Sequence, residues 1–585
     1  MNCSQKKTIM TVKLLKYLPL VFAFTLVVNC KHEAKKTDSK NVATTIFYNG
    51  DIVTMEGDTA NYVEAIAIKD GVISKVGTEN EVMTFKGDAT TLIDLEGKTM
   101  FPGFIDAHAH FFGFGPQASG ANLLPPPDGG IQSIDDLISE LSSWATPENI
   151  QLTGWIYGLG FDDSQLAEKR FPTKADLDKV SAEHPILILH ISAHFCVMNS
   201  KALELVGITK DTPNPEGGII RRMPNGKEPN GVLEEMAAIP YIAKAITPKT
   251  PENLAKQAIA GLEMAKSYGY TTAQEGKAME QHELLAAFAE KGLFDIDIVS
   301  YVDHTKSDYL KTKWYSKTYT NNYRIGGLKI TLDGSPQGRT AWRTQPYLIP
   351  PDGAPKDYKG YPAIPNIEDV ANVYRMAFKN NWQILSHANG DAAVDQMIEG
   401  MRMASNEYGI KDRRNVMIHG QYVREDQLDS LKQLNVIASL FPLHTFYWGD
   451  WHEQLIGEEL GQKISPTRTA LNKGVKLTIH TDAPVALPNL MRMVWTAVSR
   501  TSRSGKIIGQ NERLTAYEAM KCLTEWSAYQ HFEDDKKGTL TEGKLADLVI
   551  LSNNPLKVET EAIKDIEVLQ TIKEGNFVFD RPLKK

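Results

Sequence analysis

Two histidines near the start of the chain have the type and spacing of metal ligands. His108 and His110 follow directly after the apolar run Met100–Ile105, which has the composition of a buried strand. Side chains two residues apart on a strand point to the same side, so both imidazoles can reach one ion. Two histidines in a loop often have no such role. The position at the end of a buried strand is what favours metal binding here.

Three more ligand-type residues lie where an apolar, strand-like run meets a loop: His387, His419 and Asp482. Any one of them alone is usually a polar residue whose hydrogen bonds are made locally at a strand end, without a metal. Four such junctions in chain order predict one metal site at the carboxyl ends of the strands, where barrel enzymes place their chemistry. The four cysteines include no CxxC pair, so the predicted ligands are nitrogen and oxygen atoms.

The elements that must position these residues are predicted from an alternation of strand-like runs with helical patterns. Helices are predicted at Pro251–Tyr268, Ile367–Asn380 and Arg424–Leu434. The alternation predicts an α/β fold with a parallel sheet, and the pattern alone leaves open whether that sheet closes into a barrel. The strand-like runs are Met100–Ile105, Ile186–His190, Leu328–Leu332, Gln383–Ser386, Val416–Ile418, Val436–Ser439 and Lys476–Ile479.

Both ends of the chain carry short strand-and-turn patterns instead. Thr45–Thr54, for example, reads as two strands around the Asn49-Gly50 turn. An isolated hairpin is marginal in water, so residues 45–98 and 535–585 are predicted to form one composite β-sandwich domain. Residues of about 115–250 are rich in Pro and Gly and are predicted to be an insertion that caps the central body, residues 99–534.

These motifs together resemble the amidohydrolase superfamily, and within it the N-substituted formamide deformylase-like branch. The resemblance extends from about residue 45 to the C-terminus and implies an α/β fold with a (β/α)8 TIM-like barrel. It implies one or two divalent metals, most simply zinc, held by His108, His110, Lys329, His387, His419 and Asp482. The family more often has an acidic residue where this chain has Ile418. The matching segments are Phe101–His110, Gly327–Ser335, His387–Asp391, Asp482–Val485 and Gly543–Val549.

Lys329 stands alone in an apolar strand, and the resemblance implies that it is carbamylated and bridges two metals. A buried lysine is costly as a cation and readily loses its charge, which suits that modification. The alternative is a neutral or salt-bridged lysine beside a single metal. Imidazole, aspartate and carbamate ligands suit zinc but also manganese, iron or nickel.

The implied reaction is hydrolysis of the C–N bond of an amide, N-formyl or cyclic amide substrate by metal-activated water. Asp482 is the predicted general base, which passes the proton of the water to the leaving nitrogen. Two alternatives stay open: a deaminase on the same fold, and a non-catalytic periplasmic binding lipoprotein. No Gly-x-Ser-x-Gly motif supports a serine hydrolase.

Four residues are candidate substrate contacts: His194, Arg339, His444 and His480. Arg339 could bind a carboxylate, although solvation at the surface is equally consistent with its position. His444 lies in an aromatic-rich segment that could line the pocket or simply close the barrel. His480 shares a strand face with Asp482, and packing against the barrel is the favoured alternative for it.

The N-terminus predicts export. Residues 1–30 contain lysines, then an apolar run, then Cys30, and so resemble a bacterial lipoprotein signal in which that cysteine is lipidated. Residues 31–44 are predicted to form a polar linker. A cleaved signal without lipid, or a short membrane anchor, is the alternative. The net charge of −8 gives no reason to expect a nucleic-acid partner. We therefore expect a small-molecule substrate and a membrane-anchored protein on the periplasmic or cell-surface side, with homo-oligomerisation left open.

Overall fold

The computed structural model describes residues 42–163, 165–193, 195–215, 218–351 and 354–582 of the 585-residue chain. The predicted leader with Cys30, most of the predicted linker, and His194 lie outside the described residues. No helix within the described ranges is long and apolar enough to span a bilayer.

The described strands form three sheets. In chain order the strands are β1 Thr45–Val53, β2 Tyr62–Lys69, β3 Val72–Gly77, β4 Thr91–Asp94, β5 Thr99–Pro102, β6 Phe104–Ile105, β7 Ala121–Asn122, β8 Ile156–Phe161, β9 Ile186–His190, β10 Phe195–Met198, β11 Gly218–Arg222, β12 Pro229–Glu235, β13 Tyr270–Ala278, β14 Asp297–Asp303, β15 Tyr323–Thr331, β16 Gln383–Ala388, β17 Val416–His419, β18 Ile437–Leu440, β19 Leu477–Ile479, β20 Leu548–Leu551, β21 Val568–Lys573 and β22 Asn576–Asp580.

The central sheet contains eight parallel strands in the order β6-β13-β14-β15-β16-β17-β18-β19, which is also their order in the chain. Most of these strands are buried along their whole length, as expected for parallel strands covered by helices. The sheet is curled, and this brings the loops after its first and last strands close enough to form two backbone hydrogen bonds. Asp482 N–H donates to His108 O at 3.2 Å, and His110 N–H donates to Ala483 O at 2.7 Å.

Helices connect and cover these strands, and three of them agree closely with the predicted patterns. The hydroxyl of Thr250 accepts from Asn253 N–H to cap the longest of the three, whose first residue is a proline. The helices are α1 Glu79–Met83, α2 Phe111–Ser119, α3 Ile134–Trp144, α4 Pro147–Thr153, α5 Lys174–Leu177, α6 Ser200–Val206, α7 Ile239–Ile246, α8 Pro251–Ser267, α9 Gln281–Glu290, α10 Ile367–Lys379, α11 Asp391–Tyr408, α12 Glu425–Gln433, α13 Leu443–Ile456, α14 Glu458–Gly461, α15 Thr467–Asn472, α16 Leu490–Ser499, α17 Ala516–Lys521 and α18 Glu525–Gln530.

A second sheet contains strands from both ends of the chain. Its order is β22-β21-β20-β5-β1-β2-β3, and β4 pairs with β1. The predicted hairpin at Asn49-Gly50 is wrong, because β1 is one continuous strand that pairs with β2 on both sides of an irregularity between Tyr48 and Ile52. Gly50 fits there because a Cβ would lie 2.5 Å from Lys98 O. A bulge has replaced the turn that the local sequence favours.

The third sheet lies within the long segment between β6 and β13. Its order is β11-β12-β10-β9-β8-β7, so Ile186–His190 belongs to this sheet and not to the central one. The strand-like run at this position was therefore correctly predicted as a strand but does not contribute to the central sheet.

A buried ion network joins β14 to the C-terminal segments. Lys537 Nζ lies 2.6 Å from Asp297 Oδ2 and 2.6 Å from Glu533 Oε2, and Lys573 Nζ also contacts Asp297 at 2.9 Å. All four side chains are buried, so each charge depends on its partners.

Candidate metal centre

The predicted ligands come from separate strands of the central sheet. His108 and His110 follow β6, Lys329 lies within β15, and Asp482 follows β19. His387 lies in β16 and His419 is the last residue of β17. His419 and Asp482 have positive φ angles of 76° and 54°, a conformation that non-glycine residues rarely adopt. The chain therefore accepts backbone strain at two of these positions.

The Asp482 carboxylate lies at the centre of the group. Its Oδ1 is 3.5 Å from His108 Nε2 and 3.4 Å from His110 Nε2. Its Oδ2 is 3.9 Å from His419 Nε2. Three imidazoles from two strand ends, those of β6 and β17, thus direct their Nε2 atoms at one carboxylate.

His108 is held in place by β13. Gln274 Oε1 lies 2.6 Å from His108 Nδ1, which directs Nε2 of the same ring towards Asp482. Gly276 lies against the other side of the imidazole, where a Cβ would be 2.3 Å from His108 Cε1. Burial lowers the pKa of His108 well below its usual value, so the ring is a neutral donor.

Lys329 is buried next to His108, with Nζ 3.0 Å from His108 Nε2. Burial lowers the pKa of Lys329 to about 7. A substantial fraction of Lys329 is therefore uncharged at neutral pH, which is the form that a metal ligand or a carbamate requires.

His419 is supported from the end of β19, two strands away in the sheet. Its Nδ1 lies 3.1 Å from His480 Nε2, and His480 Nδ1 lies 3.0 Å from Ser439 Oγ. Burial lowers the pKa of His480 to about 3 and that of His419 well below its usual value. Ile418 offers no polar side-chain atom, and His480 is the residue that supports the His419 ring.

His387 lies on the more open side of the cluster. Its ring centroid is 4.6 Å from that of His419, and its Nδ1 is 3.2 Å from Asp333 Oδ1. Asp333 is itself fixed by the backbone N–H groups of Asn389 and Gly390, at 2.9 and 2.7 Å. The contact between Asp333 and His387 is one of proximity, because His387 Nδ1 makes no hydrogen bond among the described residues.

His110 differs from the other histidines because two carboxylates face it. Its Nε2 lies 3.4 Å from Asp482 Oδ1 and its Nδ1 lies 3.7 Å from Glu275 Oε1. Burial alone lowers the pKa of His110, but interactions with Asp482 and Glu275 outweigh that effect and raise it to about 9. For Asp482 the directions are reversed: burial raises its pKa, but the interaction with His110 lowers it overall. A divalent cation would have to displace the proton that His110 carries.

The arrangement fits a divalent metal ion. One ligand atom each from His108, His419 and Asp482 lies within 4.8 Å of the others. Asp482 Oδ1 is buried and has no hydrogen-bond partner in the described part of the chain, which is costly unless a cation or a proton donor satisfies it. Imidazole nitrogens and carboxylate oxygens are donors suited to zinc and to related divalent metals.

Sequence reasoning missed three residues that lie against the histidine rings, namely Gln274, Glu275 and Asp333. The first two lie on β13, whose polar sequence did not read as a buried strand. Asp333 is within the Gly327–Ser335 segment that carries the family resemblance, and its position just after β15 was the available signal.

Two of the predicted substrate contacts lie in loops or helices beyond the strand ends. Arg339 Nη1 donates to Pro350 O at 3.1 Å, and its guanidinium lies 5.1 Å from the centre of the Trp451 ring. His444 is buried at the start of α13, with its ring 4.7 Å from that of Phe441.

A curled parallel sheet with imidazole and carboxylate donors at the carboxyl ends of its strands is typical of metal-dependent hydrolases. The chain belongs to the Amidohydrolase family, which it matches over residues 91–579. The family resemblance predicted from the motifs is therefore confirmed.

Named relatives cover nearly the whole chain. It is 27% identical over 555 residues to the putative amidohydrolase YtcJ of Bacillus subtilis, covering 92% of this chain and 99% of that protein. It is 27% identical over 549 residues to the N-substituted formamide deformylase of Arthrobacter pascens, covering 88% of this chain and 95% of that protein. An uncharacterized metal-dependent hydrolase from Pyrococcus furiosus has the same fold, with a TM-score of 0.68 and 24% identity over 88% of this chain and all of that one.

Proposed function

We propose that this protein hydrolyses a C–N bond in an amide, N-formyl or cyclic amide substrate by attack of metal-activated water. The observation that carries this proposal is the buried Asp482 carboxylate, which has an unpartnered Oδ1 and faces three imidazoles. A site built only to bind a ligand requires neither this donor set nor a base beside it. The formamide deformylase relative supports the class of bond.

The proposed ligands are His108, His110, Lys329, His387, His419 and Asp482, and the proposed metal is zinc, as one or two ions. When bound, such a cation lowers the pKa of water and polarises the carbonyl that is attacked. Asp482 accepts the proton of the attacking water and delivers it to the leaving nitrogen. His480 and Gln274 hold the imidazoles of His419 and His108 in the orientation that directs Nε2 inward.

The chemical state of Lys329 decides the number of metals. A carbamate on Nζ would add two oxygen donors and hold a second ion, whereas an unmodified lysine leaves room for one. We propose the carbamate, because Lys329 is buried and its pKa is lowered to about 7. Lys329→Ala should then lower the metal content from two ions per chain to one or none, measured by elemental analysis. Unchanged metal content would contradict the bridging role.

Asp482→Asn tests the proposed reaction directly. The amide keeps an oxygen ligand but cannot accept a proton, so we expect turnover to fall at least about 100-fold while most of the metal stays bound. The measurement is amine, ammonia and carboxylate release, recorded separately over a panel of N-formyl amines, N-acyl amines and cyclic amides. Ammonia release without a carboxylate product would instead identify a deaminase.

A second group of ligand-type residues provides a matched control. Asp162, Asp163 and His190 lie in the third sheet and its loops, with ligand atoms within 4.8 Å of one another. His190→Ala should leave the metal content and turnover unchanged. Loss of metal in His190→Ala but not in His108→Ala would place the ion at Asp162, Asp163 and His190 and refute the proposal. A metal-replete sample without activity on any panel would favour the binding protein.

Substrate contacts from His194, Arg339 and His444 are part of the same proposal, as are a closed (β/α)8 barrel and a terminal β-sandwich. We also propose that the protein is exported and lipidated at Cys30. Metabolic labelling with a lipid precursor tests this, with Cys30→Ser as the control. Absence of label in the unmodified chain would refute the anchor.

A further inference from the structure

Next to the metal centre, the side chain of Asn389 is buried and has one polar atom without a partner. Asn389 follows β16 two residues after the proposed ligand His387, and it is only 3% exposed. Its Nδ2 lies 3.3 Å from His387 Nε2, so its amide group touches a ring of the metal centre. Its Oδ1 is buried and has no hydrogen-bond partner in the described part of the chain. A buried acceptor without a donor is costly, so this oxygen points to a donor that arrives with a ligand.

Every other polar atom of Asn389 is fixed by a neighbour. The backbone N–H donates to Asp333 Oδ1 at 2.9 Å, and the backbone O accepts from Tyr422 N–H at 2.9 Å. In the side chain, Nδ2 donates to Gly334 O at 2.9 Å. A carbonyl oxygen can only accept, so the atom that faces Gly334 O is the nitrogen and the amide cannot be turned around. Asn389 Oδ1 is therefore held in one orientation.

The charge on this side of the metal centre favours a donor over an acceptor. Asp333 is buried, and its carboxylate accepts from the backbone N–H groups of Asn389, Gly390 and Trp342. These donors are neutral, so they hold the carboxylate in place without cancelling its negative charge. A carboxylate on a ligand would meet like charge here, whereas an N–H group suits both Asp333 and the free oxygen of Asn389.

The position of Asn389 relative to Asp482 indicates which part of a substrate it meets. Asp482 Oδ2 is 3.9 Å from His419 Nε2. The ring of His419 is 4.6 Å from that of His387, and His387 in turn contacts Asn389. Two histidine rings thus separate the proposed base from Asn389. In the proposed reaction the leaving nitrogen receives its proton from Asp482, so the acyl side of the substrate extends towards Asn389.

We propose that Asn389 Oδ1 accepts a hydrogen bond from an N–H group on the acyl side of the bond that is cleaved. The substrate carbonyl then carries nitrogen on both sides, as in a urea: one nitrogen leaves, and Asn389 recognises the other. Simple formamides and alkyl amides lack the second N–H group and bind less tightly. This inference rests on the proposed hydrolase function, because the role of Asp482 assigns the two sides of the substrate.

Two probes of the same shape separate this hydrogen bond from packing. N-butyl-N′-methylurea has an N–H group where N-butylpropanamide has a CH2 group, and the carbonyl and the butyl chain are the same. Binding is measured by calorimetry on metal-loaded Asp482→Asn, which should hold the probes without cleaving them. We expect the urea to bind about tenfold more tightly, the effect of one hydrogen bond to a buried acceptor. Equal affinities, tighter binding of the amide, or binding of neither probe would overturn the inference.

Variants at position 389, made in the same background, show whether the preference comes from Asn389. Asn389→Leu has similar size and no acceptor, so it should bind the urea about tenfold more weakly and the amide with nearly unchanged affinity. Asn389→Asp keeps an oxygen that can accept and should retain the preference. Asn554→Leu is the matched control, because Asn554 is also buried but donates to Asp51 and Tyr62 in the sheet built from both chain ends. A preference that survives in Asn389→Leu, or that is lost in Asn554→Leu, would contradict the inference.

Metal content and kinetics separate substrate recognition from support of the metal. Elemental analysis of Asn389→Leu should give the metal content of the unmodified protein, because all proposed ligands are intact. Loss of metal would make Asn389 part of the metal centre and overturn the inference. With a urea that is hydrolysed, Asn389→Leu should raise KM about tenfold with kcat nearly unchanged. If no compound of any panel is hydrolysed, the hydrolase proposal fails, whereas the two probes still decide whether Asn389 recognises an N–H group.

Discussion

Gly276 is the residue at which a single added methyl group should disturb the metal centre most directly. A Cβ at this position would lie 2.3 Å from His108 Cε1, 2.7 Å from His108 Nδ1 and 2.8 Å from Ala109 O. Ordinary contact begins at about 3.4 Å, so the imidazole or β13 has to move by about 1 Å. His108 is fully buried and fixed by Gln274, so neither can move without loss.

We expect Gly276→Ala to lower the free energy of unfolding by about 1–3 kcal/mol, the usual range for overpacking a core. Displacement of a ligand ring should also weaken metal binding about 10- to 100-fold, as observed when the support of a ligand is lost. The assay is competition for the metal with a chelator of known affinity, combined with urea unfolding. Gly130→Ala is the control, because a Cβ there meets nothing within 4 Å. Metal affinity equal to that of the unmodified protein would refute the assignment of His108 as a ligand.

Two further predictions concern charges away from the site. Lys537→Met should lower the free energy of unfolding in urea by about 3–5 kcal/mol, because it breaks buried ion pairs with Asp297 and Glu533. Lys557→Met is the control, because it breaks a more exposed pair with Asp51 and should lower the free energy of unfolding by less than about 1 kcal/mol. Equal losses would contradict the role of burial. Burial raises the pKa of Asp176, but hydrogen bonds from Arg170 and Thr173 lower it overall to about 2. Because the folded-state pKa is the lower one, the carboxylate stabilises the fold above pH 4 and loses this effect as the pH falls towards 2. The stability difference between the unmodified protein and Asp176→Asn should therefore shrink over that interval in urea titrations at several pH values, and a constant difference would contradict it.

Residue type, and position where a strand-like run meets a loop, predicted that ligand-type residues lie together at one edge of the sheet. His108, His419 and Asp482 are far apart in the chain and lie within 4.8 Å of one another because parallel strands bring their carboxyl ends to one edge. Residues that support these ligands were harder to find. Gln274 and Glu275 lie on β13, a central strand with several polar residues, and an apolar run is the only local signal of a buried strand.

Non-local pairing explains the other differences. Asn49-Gly50 is a strong local signal for a tight turn, yet β1 continues through it because β2, β4 and β5 all pair with this strand. For His480 the sequence left open a substrate contact or packing against the barrel, and in the structure its Nε2 lies 3.1 Å from Nδ1 of His419, a residue of another strand. The residue that orients His419 could not be identified from the position before it, since the contact comes from about sixty residues further along the chain.

The curl of the central sheet and the assembly of the metal centre depend on the same contacts. The loops after β6 and β19 are joined by hydrogen bonds from Asp482 N–H to His108 O and from His110 N–H to Ala483 O. Three of those four residues are proposed ligands and Ala483 is the immediate neighbour of one, so the loops after the first and last strands meet where the donor atoms converge. Asp482 has a φ of 54° at this junction, which allows its backbone to bond with one loop while its carboxylate faces two histidines of that loop. Metal binding and closure of the sheet edge should therefore be coupled, because a cation that bridges Asp482 and His108 holds the two loops together.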